Sequence, residues 1–354
     1  FDRVPGAYLA QSFDWCRAGW ETVAAPRGRR LFVLVTREEG RTVLIWPLVE
    51  AKFGPCRVLR PLGAEATEYF NLLVEDGSET TRRVSTAWEM LKRTRGVDML
   101  YLANVRSDTA LDGLLTQDRR CRIIARSVLF WVHWPHATGW EAYWRSRSGH
   151  FRKRVINYRR RLADRGKIGF EVVDCADRFA GLVDWILLHK RARLATQWRG
   201  ADWLFAASYR EFLRLAAGQI RAPGRLAVFL LSLDGTPAAA LFSCIDGRRV
   251  EAFILAFDIR YAAVSPGKTL LANCVQWALE RGLEFDMRSG DEPYKERWAN
   301  ERGILTSFGR PLTAKGAVLV ALLMARSRLR HLAGRLRKRL RARAGNSSTG
   351  RFDE

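Results

Sequence analysis

The stretch Ser265-Pro266-Gly267-Lys268 has the residue types of a phosphate-binding turn at the start of a helix. Ser265 is a favourable N-cap, and Pro266 suits the first helical position, where no amide donor is needed. Gly267 would let the backbone approach a ligand, and Lys268 adds a positive charge. Because a helix N-terminus presents free N–H groups, the turn predicts an anion site for a phosphate-bearing cofactor. An ordinary helix cap with a lysine in solvent is the alternative.

Three ionisable residues alternate along the strand predicted for Leu283 to Arg288. Glu284, Asp286 and Arg288 would point to the same face of a sheet. Buried charges need partners, and such partners are common at functional sites. Asp286 could orient or deprotonate an acceptor, and Arg288 could pair with it or bind an acid. A purely structural Asp–Arg pair is the alternative.

A second strand, predicted for Val250 to Asp258, carries a carboxylate near each end. Asp258 is the better site candidate of the two, because ligands bind at the carboxyl ends of strands in open α/β sheets. Glu251 lies at the opposite end and is the weaker candidate.

The elements that would position these residues follow an α/β pattern. Helical and strand periodicities alternate along the 354 residues, which predicts two α/β units joined near residues 120–140. The strands Val250–Asp258 and Leu283–Arg288 should be parallel neighbours, because a helix connects them.

Composition restricts the class of protein further. Hydrophobic residues make up 48% of the chain, and no apolar run reaches the roughly 18 residues that a membrane span needs. The first residues show no signal-peptide pattern. The six cysteines are scattered without a C-x-x-C pair, which favours reduced thiols and no metal site. We therefore expect a cytoplasmic protein.

The formal charge of +23 is concentrated in two segments. Residues 145–167 carry a net charge of +9, and residues 326–343 carry another +9, which leaves +5 for the other 313 residues. The first segment could bind nucleic acid, a lipid pyrophosphate or another anionic acceptor. Solvated helical faces are the alternative for both segments.

The second basic segment forms part of an amphipathic helix predicted over 317–343. Leucines and one alanine recur at spacings of three and four residues, with arginines on the other faces. This stripe consists of Leu322, Ala325, Leu329, Leu332, Leu336 and Leu340. We prefer peripheral binding to an anionic membrane; packing on a domain and nucleic-acid binding are the alternatives.

Three ordered motifs in the second half of the chain, and a looser pair in the first half, resemble a known family. The second half has R-K-R-V-I-N-Y-R-R-R-L at 152–162, F-D-I-R-Y-A-A-V-S-P-G-K at 257–268 and D-M-R-S-G-D-E-P-Y-K-E-R-W at 286–298. The first half has P-L-G at 61–63 and E-Y-F-N-L-L-V at 68–74. Together they resemble the Gcn5-related N-acetyltransferase (GNAT) fold, in the CelD/BcsL-like or "acetyltransferase 6" branch that is akin to the FemAB peptidyltransferases.

The resemblance implies a tandem arrangement of GNAT-like domains with mixed central sheets flanked by helices. The expected domains are 1–135, an acyltransferase domain at 136–315, and a basic amphipathic helix with a disordered tail at 316–354. Acetyl-CoA or another acyl-CoA would be the donor, held by Ser265, Pro266, Gly267 and Lys268, although the usual Q/R-x-x-G-x-G/A loop is replaced here. Tyr294 lies where such enzymes often place the tyrosine that protonates the departing thiolate.

The function expected from the resemblance is an acyl-CoA-dependent N- or O-acyltransferase. Its acceptor would be a cell-envelope sugar, glycolipid or polysaccharide precursor, reached from the inner face of the cytoplasmic membrane. A FemAB-like aminoacyltransferase that uses aminoacyl-tRNA is the first alternative, although residues 140–166 are short for the helical arm of many such enzymes. A non-catalytic anion-binding scaffold is the second.

Overall fold

The computed structural model describes residues 4, 7–63, 68–69, 72–135, 139–196, 206–219, 224–290 and 292–348. The helices are α1 (Phe13–Gly19), α2 (Thr80–Lys92), α3 (Ala110–Gln117), α4 (Gly139–Ser146), α5 (Gly149–Ala163), α6 (Ala176–Thr196), α7 (Ala207–Gln219), α8 (Pro266–Leu279), α9 (Pro293–Trp298) and α10 (Ala314–Ser348). The strands are β1 (Arg30–Glu38), β2 (Arg41–Phe53), β3 (Cys56–Pro61), β4 (Leu73–Val74), β5 (Met99–Arg106), β6 (Arg122–Val132), β7 (Ile168–Val173), β8 (Arg225–Leu233), β9 (Thr236–Ile245), β10 (Arg249–Phe257), β11 (Glu284–Ser289) and β12 (Glu301–Pro311).

The described strands form one mixed sheet that runs through both halves of the chain. Its order is β1-β2-β3-β5-β12-β6-β11-β10-β9-β8-β7, and β4 pairs with β2. The late strand β12 pairs antiparallel with β5 and β6, and β6 pairs with β11. The predicted α/β class of GNAT-like halves around a mixed sheet is confirmed, although the halves share one sheet. The domain boundaries near 135 and 315 stay a prediction.

The predicted relationship between the two central strands is also confirmed. β10 and β11 are adjacent and parallel, and α8 connects them. On the other side of β10, β9 belongs to a hairpin with β8. Asp234 and Gly235 at its tip have φ of 47° and 79°, as a type I′ turn requires.

Helices cover both faces of this sheet because apolar residues alternate along its strands. In the second half, α1, α6 and α7 pack on one face around Phe212 and Phe242, and α8 packs on the other around Leu270 and Cys274. In the first half, α2 and α3 cover one face with Trp88 at the centre. The functional residues on β10 and β11 therefore lie between helical layers.

The C-terminal helix α10 packs on the first half of the sheet by a face other than the predicted stripe. Val320 is buried against Met99 and Ile124. Leu322, Leu329 and Leu332 of the predicted stripe are exposed instead, as is Val318 on the same helix. The side chains of Leu336 and Leu340 lie outside the described part of the chain. Packing on a domain therefore does not account for the described leucines.

Candidate active site

The strands β10 and β11 separate near their middle and open a wedge in the sheet. Their pairing is confined to three residue pairs, from Arg249–Glu284 to Glu251–Asp286. β11 also has an irregular register against β6 between Asp286 and Ser289, and Arg288 in this stretch has φ of 61°. A non-glycine residue in the left-handed region stores strain, and such strain concentrates at functional sites.

This bulge directs the Arg288 guanidinium toward β10. Its Nε atom lies 3.3 Å from Oε1 of Glu251 and 3.6 Å from Oε2 of Glu68, and its Cζ lies 3.9 Å from the centre of the Phe253 ring. Glu251 and Arg288 are 2% and 6% exposed. Glu68, which belongs to the E-Y-F-N-L-L-V motif, also accepts a hydrogen bond from the Ser289 amide at 3.0 Å. The first half of the chain thus contributes directly to this cluster.

Asp286 is held by a tyrosine of the first half and by its own strand. Tyr69 donates a 2.7 Å hydrogen bond to Oδ1 of Asp286, and the Arg288 amide donates another of 2.7 Å to the same oxygen. Because Asp286 pairs with Glu251 across the strands, the two carboxylates lie close together. The Arg288 guanidinium therefore pairs with Glu251 and Glu68, and no Asp286–Arg288 side-chain ion pair occurs among the described residues.

Burial controls the protonation of this cluster. Desolvation raises the pKa of Glu251 to about 8, although the nearby Arg288 lowers it. Desolvation also raises the pKa of Asp286, against the two hydrogen bonds that favour its charged form. A carboxyl group whose pKa lies near neutrality, in the middle of a buried cluster, is suited to act as a general base.

Asp258 has a different environment from the one expected for it. Its Oδ1 accepts a 2.9 Å hydrogen bond from the Arg260 amide and so caps the short 3-10 helix Ile259–Val264. The Arg260 side chain pairs with it at 2.6 Å, and this hydrogen bond lowers the pKa of the Asp258 carboxyl. In the described contacts Asp258 belongs to the turn that leads into α8, apart from the Arg288 cluster.

The turn before α8 fulfils only part of the expectation for an anion site. Ser265 occupies the predicted N-cap position, but it has φ of 56° and its side chain makes no capping hydrogen bond. Its carbonyl accepts from the amides of Lys268 and Thr269 at 3.0 and 3.5 Å. Since Pro266 has no N–H, Gly267 has the one first-turn amide without an acceptor among the described residues.

Gly267 is also a packing position. A Cβ atom there would lie 3.1 Å from Cδ2 of Leu255 and 3.4 Å from Cδ1 of Phe257. The glycine therefore lets α8 approach β10 closely. The buried hydroxyl of Thr269, two residues later, has no partner among the described groups. A free amide, an unpaired hydroxyl and a lysine in one turn fit the phosphate of a donor.

Helix α5 extends the positive charge beside this turn. Lys268 donates to the Tyr158 hydroxyl at 3.1 Å, and Nε and Nη2 of Arg154 lie 3.4 Å from the same oxygen. The bond from Lys268 lowers the pKa of the Tyr158 hydroxyl. Arg161 donates to the Ala263 carbonyl at 3.0 Å. The basic motif at 152–162 and the turn at 265–268 are thus neighbours in space.

Tyr294 lies at the start of α9 and is 38% exposed. Desolvation raises the pKa of its hydroxyl to about 12, against the positive charge of the nearby Arg193. The Arg193 guanidinium also lies 5.3 Å from the ring centre of Phe257, the residue that contacts Gly267. Tyr294 is therefore placed toward the α8 end of β10, on the side expected for a donor.

Sequence reasoning missed several members of the site. Glu68 and Tyr69 lie in a quoted motif, but nothing in the sequence places that motif against β11. Glu251 was ranked below Asp258, although a lone carboxylate inside an apolar strand is itself a signal of function.

A cavity of about 690 Å³ adjoins the cluster between the two halves. Tyr69 links the two, because it lines the cavity and donates to Asp286. Arg106 stacks near the rings of Tyr8 and Trp131 in the same wall. The polar and aromatic residues of the lining include Tyr8, Gln11, Tyr69, Asn104, Arg106, Asp108, Trp131, His133, Trp134, Arg248, Arg249 and Glu284. A concave site of this size next to groups with shifted pKa values suits a small-molecule acceptor.

Neither a metal site nor a membrane span was found in the part of the chain described. No group of three His, Cys, Asp or Glu side chains is arranged there to hold a metal ion. None of the helices in these ranges combines the length and apolar character needed to cross a bilayer.

The family comparison agrees with this geometry. Residues 149–296 match the Acetyltransf_6 family, described as an acetyltransferase (GNAT) domain. This region contains β10, the Pro266 turn, β11 and Tyr294. The chain therefore carries a GNAT-type acyltransferase domain, and the resemblance to the acetyltransferase 6 branch is confirmed. No curated protein matches the sequence.

Solved structures share the fold over nearly the whole chain. FemX superimposes with a TM-score of 0.63 at 11% identity and covers 91% of this chain and 96% of its own. L-PGS from Bacillus licheniformis has a TM-score of 0.53 at 13% identity, with coverages of 89% and 96%. The C-terminal DUF2156 domain of a protein assigned as a lysylphosphatidylglycerol synthetase, from Agrobacterium fabrum, has a TM-score of 0.51 at 13% identity, with coverages of 88% and 95%.

Proposed function

We propose that this acyltransferase moves an acyl group from a CoA ester to an amine or hydroxyl of a cell-envelope sugar, glycolipid or polysaccharide precursor. The observation that carries the proposal is the wedge between β10 and β11, with the Lys268 turn near one end and the Glu251–Asp286–Arg288 cluster at its base. The donor lies toward α8, and the acceptor enters from the cavity beside Tyr69.

The residues divide the chemistry among them. Gly267, Lys268 and Thr269 hold the donor pyrophosphate. Glu251 takes the proton from the attacking amine or hydroxyl, because its raised pKa makes it a base near neutral pH. Tyr294 gives a proton to the departing thiolate, since its hydroxyl stays protonated over the working pH range.

Asp286 and Arg288 act on the acceptor side of the wedge. Asp286 orients the acceptor through Tyr69, which lines the cavity and hydrogen-bonds to its carboxylate. Arg288 keeps the carboxylates of Glu68 and Glu251 at the base of the wedge. The assignment of an envelope acceptor rests on the family resemblance and on the names of the structural relatives, which include a lysylphosphatidylglycerol synthetase.

The exposed stripe on α10 serves peripheral association with an anionic membrane. Three leucines of the stripe are more than half exposed: Leu322, Leu329 and Leu332. The same helix carries Arg326, Arg328 and Arg330. Leucine burial and basic charge both favour binding to such a surface. Comparing vesicle binding of the full chain with a 1–315 truncation is a direct test. Because Val320 covers the sheet, point substitutions in the stripe are the cleaner comparison.

Calorimetry of the purified protein with acetyl-CoA and longer acyl-CoAs tests the donor assignment. Micromolar or tighter binding of a CoA ester supports it, and a folded protein that binds none refutes it. A FemAB-like aminoacyltransferase is the second candidate, favoured by the basic side chains of α5 that lead to Lys268. Retention of aminoacyl-tRNA on a filter, without capture on a pantetheine matrix, would select that candidate.

A further inference from the structure

A second basic pocket lies one helical turn from the Lys268 site. It has a volume of about 610 Å³ and is open to solvent. It is lined by Ser146, Arg147, Ser148, His150, Phe151, Arg154 and Arg297. This lining contains three arginines and a histidine but no carboxylate, so it would be selective for anions.

The arginines of this pocket are not engaged in ion pairs within the described chain. Arg147 donates to the Ala299 carbonyl at 3.3 Å and lies over the Tyr143 ring, contacts that fix its position without neutralising it. Among the described residues, the Arg154 guanidinium hydrogen-bonds to the Tyr158 hydroxyl and makes no ion pair. Arg297 is exposed and makes no ion pair with a described carboxylate. Like charges held together in this way favour an anionic ligand between them.

Arg154 joins this pocket to the turn at α8. The Tyr158 hydroxyl lies 3.4 Å from Nε of Arg154 and 3.1 Å from Nζ of Lys268, so the two cations share one oxygen atom. His150, Arg154 and Tyr158 follow one face of α5 at four-residue spacing. A ligand with a phosphate at Lys268 and a second phosphate a short distance away could therefore occupy both sites.

We infer that the pocket of Arg147, Arg154 and Arg297 binds the 3′-phosphate of the CoA donor. The inference rests on the proposed acyl-CoA function and deepens it. A phosphate monoester carries nearly two negative charges and accepts paired hydrogen bonds from guanidinium groups, which matches a lining of arginines without acids. The pocket would thus select CoA esters over otherwise identical carriers that lack this phosphate.

The test compares CoA with 3′-dephospho-CoA by calorimetry on the full chain. The parent should bind CoA at least about tenfold more tightly, as one charge-assisted hydrogen bond would give. Arg297→Ala and Arg147→Ala should each bring the ratio toward one while leaving dephospho-CoA affinity unchanged. Arg159→Ala and Arg160→Ala, on the exposed face of the same helix, are matched controls that should keep the parent ratio. Thermal melts verify that each variant is folded.

Other outcomes would overturn the inference in distinguishable ways. If the parent binds both compounds equally, the pocket does not read the 3′-phosphate, and the acyl-CoA assignment survives. If it binds neither, the donor assignment itself is wrong. If a single-stranded RNA oligonucleotide binds and depends on Arg147 and Arg297, while CoA discrimination does not, the pocket serves an RNA backbone. Calorimetry with inorganic phosphate, at the concentration used for CoA, measures non-specific anion binding for reference.

Discussion

Tyr69 in the first half of the chain donates a 2.7 Å hydrogen bond to Asp286 in the second half. Both residues are almost completely buried, and Glu68 beside Tyr69 contacts the same strand through Ser289. The family match covers residues 149–296, so Asp286 lies inside it, whereas Glu68 and Tyr69 lie outside it. The first half therefore contributes to the buried cluster as well as to the sheet.

This relationship predicts coupling between Tyr69 and Asp286. Tyr69→Phe removes one donor from a buried carboxylate and should lower the free energy of unfolding by about 1–3 kcal/mol. Asp286→Asn should spare donor binding but reduce turnover, because the proposed function has this pair orient the acceptor. A double-mutant cycle measured by denaturant unfolding should give an interaction energy of roughly 1 kcal/mol or more. Additive effects would mean that the hydrogen bond contributes nothing specific.

Local signals predicted the second half of this site well. The apolar strand before the Ser265 turn, the helix after it and the following strand are read from residue periodicity alone, and their parallel pairing follows from the helical crossover. Partners were also expected for the three charges on β11, and Asp286 and Arg288 have them in the buried cluster. Glu284 lies outside this cluster, 2.9 Å from Nδ1 of His133. The strand–helix–strand pattern depends on residues within about forty positions of one another in the sequence.

The rest of the site depends on contacts that no local pattern reveals. Glu68 reaches Ser289 across more than two hundred residues, and β12 pairs with β5 over a similar separation. The bulge at Arg288 is a backbone conformation that no residue type there demands, since arginine gains nothing from a positive φ. Glu251 ranked below Asp258 in the prediction because position at the carboxyl end of a strand counted for more than burial.

Glu251 should impose a pH dependence on both stability and activity. Burial raises its pKa from the ordinary 4.5 to about 8, so the folded protein holds a proton that the unfolded chain has lost. The stabilisation from this group is complete below pH 4.5 and declines as the pH rises toward 8. Activity should rise as the pH approaches 8, because Glu251 must be deprotonated to act as the proposed base.

The variant Glu251→Gln tests both effects. It should lower kcat by about 10²–10⁴-fold and remove the rising limb of the pH profile for kcat. Its stability should decline less between pH 5 and 8 than that of the parent. Asp258→Asn is a matched control, because this carboxylate caps a turn outside the cluster. A Gln variant with the parent's pH profile would exclude Glu251 as the base.

The exposed stripe on α10 should determine membrane affinity. Leu329→Glu with Leu332→Glu should reduce binding to phosphatidylglycerol-containing vesicles at least about tenfold, because two exposed leucines that would enter the bilayer are lost and negative charge is added. Leu188→Glu, on α6 and 64% exposed, is the control for adding an acid at an exposed leucine. Co-sedimentation measures all three proteins. Parent-like binding by the double variant would refute a membrane role for the stripe.

The turn at α8 gives a prediction about donor affinity. Lys268→Ala should weaken CoA binding by about 1–2 kcal/mol, the contribution of one charge-assisted hydrogen bond. Gly267→Val should abolish it, but the new side chain would also press on Leu255. In a Leu255→Ala background, Gly267→Ala no longer meets that contact. Calorimetric comparison of Leu255→Ala with and without Gly267→Ala therefore separates lost donor binding from lost packing. Parent-like affinity in Gly267→Val would argue against a donor at this turn.

Tyr294 should affect the chemical step rather than donor binding. Its hydroxyl keeps its proton well above neutral pH, since burial raises its pKa to about 12, and Tyr294 remains 38% exposed. Tyr294→Phe retains the ring and removes the acid, so kcat should fall by about 10²-fold or more. The Kd for CoA should stay within about twofold of the parent value, because one neutral hydrogen bond contributes little to binding. For thioesters of a more acidic thiol, Tyr294→Phe should reduce the rate less, because their thiolate can leave without a proton. An equal loss of rate for acidic and ordinary thiols would show that Tyr294 positions the donor instead of protonating it.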